Sequence, residues 1–208
     1  MKKLRGLLII LALAVASSLA IGWALRVVDS TSRPLPKTTT SGTAAIGGAF
    51  TLVTTNGEVV TNQSFRGKWL LIFFGYTSCP DLCPTALTNV SVALEKFGSD
   101  TGRLQPLFIT VDPERDTRDV MANYLKSFDA RILGLTGTQT QIDGVTKNYR
   151  VYVALDKSEK GGEDYLVSHS AYLYLMDTRG KFVSVKQGNE DGDAIAAWLR
   201  EKMARSIW

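Results

Sequence analysis

From Trp69 to Phe74 the chain reads WLLIFF, six apolar residues without a polar break, and Leu107 to Val111 (LFITV) is a second such run. Uninterrupted runs of this length predict central strands covered on both faces. Between them Ala86, Leu87, Val90, Ala93, Leu94 and Phe97 recur at helical spacing, predicting a helix from Pro84 to Phe97. Trp69 to Val111 is therefore a strand, helix, strand unit, which implies parallel pairing and a right-handed crossover. Upstream, Phe50 to Val60 (FTLVTTNGEVV) carries two β-rich stretches around Asn56-Gly57, a hairpin signal.

Downstream, a helix over Asp116 to Phe128 presents Val120, Met121, Tyr124, Leu125 and Phe128 on one face, with Asp116 placed to cap it. A further helix spans Thr138 to Tyr149 around an interior Gly144. There follow a strand at Val151 to Ala154, a polar excursion KSEKGGED (Lys157 to Asp164), a strand at Ala171 to Met176, a turn at Thr178 to Gly180 and a strand at Phe182 to Lys186. The last helix runs from Asp191 to Arg205, with Ile195, Trp198, Leu199 and Met203 as its apolar stripe. Hairpin, βαβ, helices, ββα is the order of an α/β, thioredoxin-like fold: a central mixed sheet flanked by helices, with an N-terminal hairpin.

A different pattern precedes this unit. After MKKLRG, the run from Leu7 to Leu25 is uncharged and ends at Arg26. As a helix it would be roughly 28 Å long, close to a bilayer core. Ala14, Ala16 and Ala20 offer a signal-peptide cleavage site, but the length of the run and the interfacial residues Trp23 and Arg26 favour an uncleaved anchor. Lys2, Lys3 and Arg5 would stay on the cytoplasmic side, leaving the rest in the periplasm or an equivalent intermembrane space. Ser30 to Thr43 (STSRPLPKTTTSGT) is mostly Ser, Thr, Pro and Gly and reads as a flexible stalk. The expected organisation is an anchor at 1–26, a linker at 27–46 and one domain at 47–208, on a single-pass inner-membrane protein.

The formal charge of +4 resides in Lys2, Lys3, Arg5 and Arg26, beyond which twenty basic residues balance twenty acidic ones. With no net basic surface and no phosphate-binding loop, nucleic-acid binding is excluded as an expectation.

Both cysteines of the 208-residue chain lie in GYTSCPDLCPTAL, Cys79 and Cys83, between a predicted strand and the next helix. Ligands gather at such loops in open α/β sheets. With Pro84 at the first helical position, Cys83 would sit near the N-cap, where free backbone donors and the helix dipole favour a thiolate. Three roles compete: a structural disulfide, which would close too short a loop to stabilise much, a redox-active dithiol, and a metal site. A third donor is available in His169, the one histidine, in LVSHSA. In a thioredoxin-like sheet the loop entering the antiparallel strand pair faces the dithiol loop. Two soft thiolates and an imidazole suit Cu(I), and Cu(II) is tolerated.

GYTSCPDLCPTAL, TVDPERDT (Thr110 to Thr117), LTGT (Leu135 to Thr138), YRVY (Tyr149 to Tyr152) and DYLVSHSAYLYLMDTRGKF (Asp164 to Phe182) together resemble the Sco/SenC proteins. The resemblance implies a membrane-anchored copper-binding protein that helps assemble the CuA centre of cytochrome c oxidase. It carries copper ligation onto Cys79, Cys83 and His169. Its implied partners are the copper-receiving oxidase subunit and other copper chaperones or thiol-disulfide proteins. Ser78 departs from a His found beside the first cysteine in many members, which leaves His169 alone in its role. The rival reading is a thiol-disulfide oxidoreductase, with Cys79 and Cys83 as its redox pair, keeping the oxidase cysteines reduced. None of the six prolines falls near His169 in sequence, where thioredoxin-type enzymes place one facing the dithiol, and this favours metal holding.

Other residues have simpler roles. Asp112 and Asp116 read as turn and capping residues, with touching a partner or tuning the site as the alternative, Asp81 as a solvated or partner-facing residue, and Met176 as core. Ser168 and Ser170 lack a nucleophile-elbow pattern, and Asn62 and Asn89 match glycosylation triplets of a kind that chance readily produces.

Overall fold

The computed structural model describes residues 46–156 and 165–204. The predicted anchor, most of the linker, the KSEKGGED excursion and the last four residues lie outside the described residues. The described chain runs β1 (Thr51–Thr54), β2 (Val59–Thr61), a 3-10 turn (Asn62–Phe65), β3 (Trp69–Gly75) and α1 (Leu82–Phe97). It continues through β4 (Leu104–Thr110), α2 (Arg118–Leu125), β5 (Leu133–Thr136) and α3 (Gln139–Tyr149). Strands β6 (Val153–Asp156), β7 (Leu166–His169), β8 (Tyr172–Met176) and β9 (Phe182–Gln187) precede α4 (Gly192–Ala204).

Seven strands form one mixed sheet in the order β2-β1-β5-β4-β3-β8-β9, and β6 pairs with β7 in a separate two-stranded sheet. β3 is parallel to β4 and antiparallel to β8, so the expected βαβ crossover sits at the centre. All seven residues of β3 are buried. Its alternating side chains serve both faces: Phe73 stacks on Phe108, while Phe74 meets Tyr149 of α3 and Tyr174 of β8. Helix α1 packs against α4, and α3 against β1. This is the thioredoxin-like mixed sheet flanked by helices.

The N-terminal hairpin forms as expected, with Gly57 at φ 88° donating to the Thr54 carbonyl at 2.9 Å. Helix α3 begins where predicted, because Thr138 and Gln141 form a reciprocal capping box.

Four features differ from the sequence-based expectations. Helix α1 starts at Leu82, so Pro84 is its third residue, still in the turn whose N–H groups have no intrahelical partner. Helix α2 is capped by Thr117, whose side chain accepts from the Val120 N–H, and not by Asp116. β5 was not expected, because its interior Gly134 weakens the local strand signal; a Cβ there would come within 2.6 Å of Leu125 and 3.2 Å of Met121. Finally, His169 ends a strand, β7, where a loop was expected.

Candidate metal centre

The parallel strands β3 and β4 end together at Gly75 and Thr110, and the Val111 N–H donates to the Gly75 carbonyl at 2.8 Å. The chain then turns through Tyr76 to Asp81 before α1 begins. Cys83, second in that helix, is fully buried, whereas Cys79 is half-exposed. Gly75 makes room for this: a Cβ there would lie 2.8 Å from both Cys83 Sγ and the Phe108 ring. The Cys83 N–H points at Cys79 Sγ across 3.4 Å, and both cysteines are free thiols.

His169 reaches this point from 86 residues away. Its Nε2 lies 3.4 Å from Cys83 Sγ. The ring sits edge-on to Phe73 and Tyr76, with centroids at 6.2 and 5.9 Å. Its Nδ1 is 3.2 Å from the Ser170 carbonyl oxygen, which can only accept. In the neutral imidazole Nδ1 therefore carries the proton, and Nε2 turns its lone pair to the dithiol. One donor atom from each of Cys79, Cys83 and His169 lies within 4.8 Å of the other two. A cleft of about 320 Å³, lined by Tyr76, Cys79, Pro80, Leu166, Val167 and His169, opens the site to solvent.

The two thiols are unlike. Hydrogen bonding from the Cys83 thiol is the main influence that lowers Cys79 to about 3, against the opposing effect of burial, and the Cys83 and Asp81 N–H groups assist. Cys83 moves the other way, because its proton is shared with Cys79 and its site is dry. A place near the helix N-terminus predicts a Cys83 thiolate; the hydrogen bond to Cys79, with burial, reverses this, and Cys79 takes the charge.

Beneath the dithiol loop, the fully buried Asp116 carboxylate accepts from the Thr77 N–H at 3.1 Å, from Thr77 Oγ1 at 2.5 Å and from Thr110 Oγ1 at 2.6 Å. Asp112, also buried, accepts from the Tyr165 hydroxyl at 2.7 Å and pairs with Arg115. Sequence reasoning placed both aspartates in turn or capping roles and missed Tyr76, Thr77, Arg115 and Tyr165. Only the closeness of VDPERD to a strand end hinted at them. Asp81 is exposed beside the cleft, Ser168 is exposed, Ser170 is half-buried and Met176 belongs to the core. Asn62 is half-buried and accepts from the Phe50 N–H, and Asn89 is half-buried on α1.

Comparison with known proteins agrees with this arrangement. The SCO1/SenC family model matches residues 38–204. Protein sco1 of Schizosaccharomyces pombe is 38% identical over 199 residues, 92% of this chain and 76% of that protein. The mitochondrial SCO1 homolog of Homo sapiens is 40% identical over 164 residues, 78% of this chain, which spans only 54% of the human protein. Among solved structures, Bradyrhizobium japonicum ScoI with copper bound shares 46% identity at a TM-score of 0.70, covering 76% of this chain and 99% of that one. Yeast Sco1 with copper bound shares 40% identity at a TM-score of 0.73, covering 78% and 91%. With a matched segment that takes in the whole sheet and all three converging donors, this chain belongs to the SCO1/SenC family.

Proposed function

We propose that this chain is a membrane-anchored copper chaperone that holds one copper ion through Cys79, Cys83 and His169 and delivers it to the CuA site of cytochrome c oxidase. The observation that carries the reading is the convergence of two thiols and an imidazole nitrogen, all within 4.8 Å, at the open end of the sheet. The donor set suits copper: thiolates select Cu(I), and a mixed sulfur and nitrogen set accepts Cu(II). Two relatives solved with copper bound share 40% and 46% of their residues with it. Copper is the cargo here. Three donors beside a solvent-open cleft leave room for an incoming cysteine, methionine or histidine of the acceptor to add before a resident donor leaves.

In this reading Leu7 to Leu25 anchors the chain in the inner membrane, residues 27–46 are the linker, and residues 47–208 work in the periplasm or intermembrane space. The acceptor is the copper-receiving oxidase subunit. Copper titration of the full chain tests the assignment: the parent binds one equivalent of Cu(II), and His169→Ala loses Cu(II) while keeping two titratable thiols. Unchanged copper content in that variant rejects it.

The unlike thiols favour a second reading, a thiol-disulfide reductant. The Cys79 thiolate would attack a partner disulfide and release one partner thiolate. Cys83 would then resolve the mixed disulfide, leaving a Cys79–Cys83 disulfide and a reduced partner. Oxidase assembly in cells separates the two. Full rescue by His169→Ala alongside failure of Cys79→Ser selects electron transfer, and failure of both selects copper delivery.

A further inference from the structure

Among the described residues, His169 is presented on a strand pair that has no backbone ladder to the main sheet, because β6 and β7 pair only with each other. A two-stranded hairpin is marginal on its own. The place of the imidazole is therefore decided by whatever ties this hairpin to the domain. Tyr165, Val167 and His169 fall on one side of the β7 segment, alternating with the exposed Leu166 and Ser168. Each meets a different fixed group. Val167 is buried, with its N–H on the Tyr76 hydroxyl at 3.4 Å. His169 meets Cys83 and the edge of Tyr76. Tyr165 meets Arg115.

The Arg115 guanidinium lies 3.7 Å over the Tyr165 ring, and its Nη1 donates to the Tyr165 carbonyl at 2.9 Å. The same group sits 5.6 Å from the centroid of Tyr76, the wall of the metal cleft. Its Nε is paired with Asp112, whose other oxygen accepts from the Tyr165 hydroxyl. One planar cation thus joins three segments: the turn after β4, the dithiol loop and the start of β7. A lysine cannot reproduce this, because it lacks the flat face for stacking and the fork that serves two acceptors at once.

We propose that Arg115 is a positioning residue for His169, latching the β7 hairpin to the dithiol loop so that the imidazole stays within reach of the two sulfurs. The proposal rests on the reading of His169 as a copper donor. Groups that orient metal ligands typically change metal affinity by about 10- to 100-fold when removed.

The test uses the full chain with Cu(II) as the only probe, in four variants: Arg115→Ala, Arg115→Lys, Tyr165→Phe and His169→Ala. We expect Arg115→Ala to weaken Cu(II) binding by at least about 10-fold and to reduce the nitrogen coupling in the electron paramagnetic resonance spectrum. Cu(I) affinity, carried mainly by the thiolates, should move by less than about threefold. Tyr165→Phe keeps the ring and the carbonyl contact, so it should stay close to the parent, and Arg115→Lys should resemble the alanine variant. In the metal-free chain, amide exchange at Val167 and His169 should accelerate in Arg115→Ala while β3 and β4 stay protected.

Faster exchange with unchanged nitrogen coupling would make the latch merely structural and overturn the proposal. Unchanged exchange and coupling together would do the same. If Arg115→Ala fails to fold, Arg115→Lys decides: parental coupling in that variant rejects the latch. Loss of coupling in His169→Ala but not in either Arg115 variant sinks this inference alone. Parental coupling in His169→Ala removes the donor reading, and the latch falls with it.

Discussion

Asp116 lies in the polar stretch DPERDT yet is fully buried. Burial raises its carboxyl above the usual carboxylate range, and the Thr110 and Thr77 hydroxyls and the Thr77 N–H counter that effect. Every one of these neighbours is a donor. Asp116→Asn would turn an amide NH2 towards one of the threonine hydroxyls, and a hydroxyl that rotates to accept from it leaves its own buried hydrogen without an acceptor, at a cost of roughly 1–3 kcal/mol. Urea unfolding checks this, and a change under 0.5 kcal/mol, about the noise of a surface substitution, would mean that the network is dispensable. The dithiol offers a second residue-scale prediction. With its thiol lowered to about 3, Cys79 remains a thiolate far below neutral pH. Its alkylation rate in the metal-free chain should be nearly flat between about pH 5 and 8, where an ordinary thiol gains about tenfold per pH unit. Cys83, buried and raised, should stay unlabelled until the chain unfolds. Mass spectrometry of timed samples distinguishes the two sites.

At the scale of elements, the end of β3 is where packing and chemistry compete for one space. Gly75→Ala would drive a methyl group into Cys83 Sγ and Phe108, each 2.8 Å from the new atom. Overpacking of this kind costs about 1–3 kcal/mol. Because one of the obstructing atoms is a proposed copper donor, copper affinity should fall together with the melting temperature. A loss of stability with parental affinity would show that the sulfur relaxes freely. Thr138→Ala tests a purely local device: removing the α3 capping box should cost about 1 kcal/mol and leave copper binding unchanged. Helices α1, α3 and α4 were legible from sequence because their apolar stripes and caps repeat within a few residues. β5 and β7 were not. β5 is four residues long with a glycine inside, and it is held by ladders to β1 and β4. β7 has one buried residue, Val167, and its place depends on contacts with Tyr76 and Arg115, remote in sequence.

For the molecule as a whole, the converging donors come from the β3–α1 junction and from β7, so a bound ion would bridge segments that separate on unfolding. Copper should stabilise the folded chain by about 2.7 kcal/mol at a hundredfold excess over the dissociation constant. That appears as a rise in the Cu(I)-dependent unfolding midpoint, and the rise should shrink in His169→Ala. An unchanged midpoint in the parent would mean that the ion binds the unfolded dithiol as tightly as the folded site. Sequence alone determined the order of most elements, the α/β class and the types of the candidate donors, because periodicity, caps and donor softness are properties of residues and their near neighbours. The pairing of Nε2 with Cys83, the transfer of thiolate character to Cys79, the buried Asp116 network and the Arg115 contact with β7 were decided by tertiary structure. Each depends on which remote groups share a dry space, and the depth of burial that shifts a proton or fixes a ring is set only when the sheet and its helices close around it.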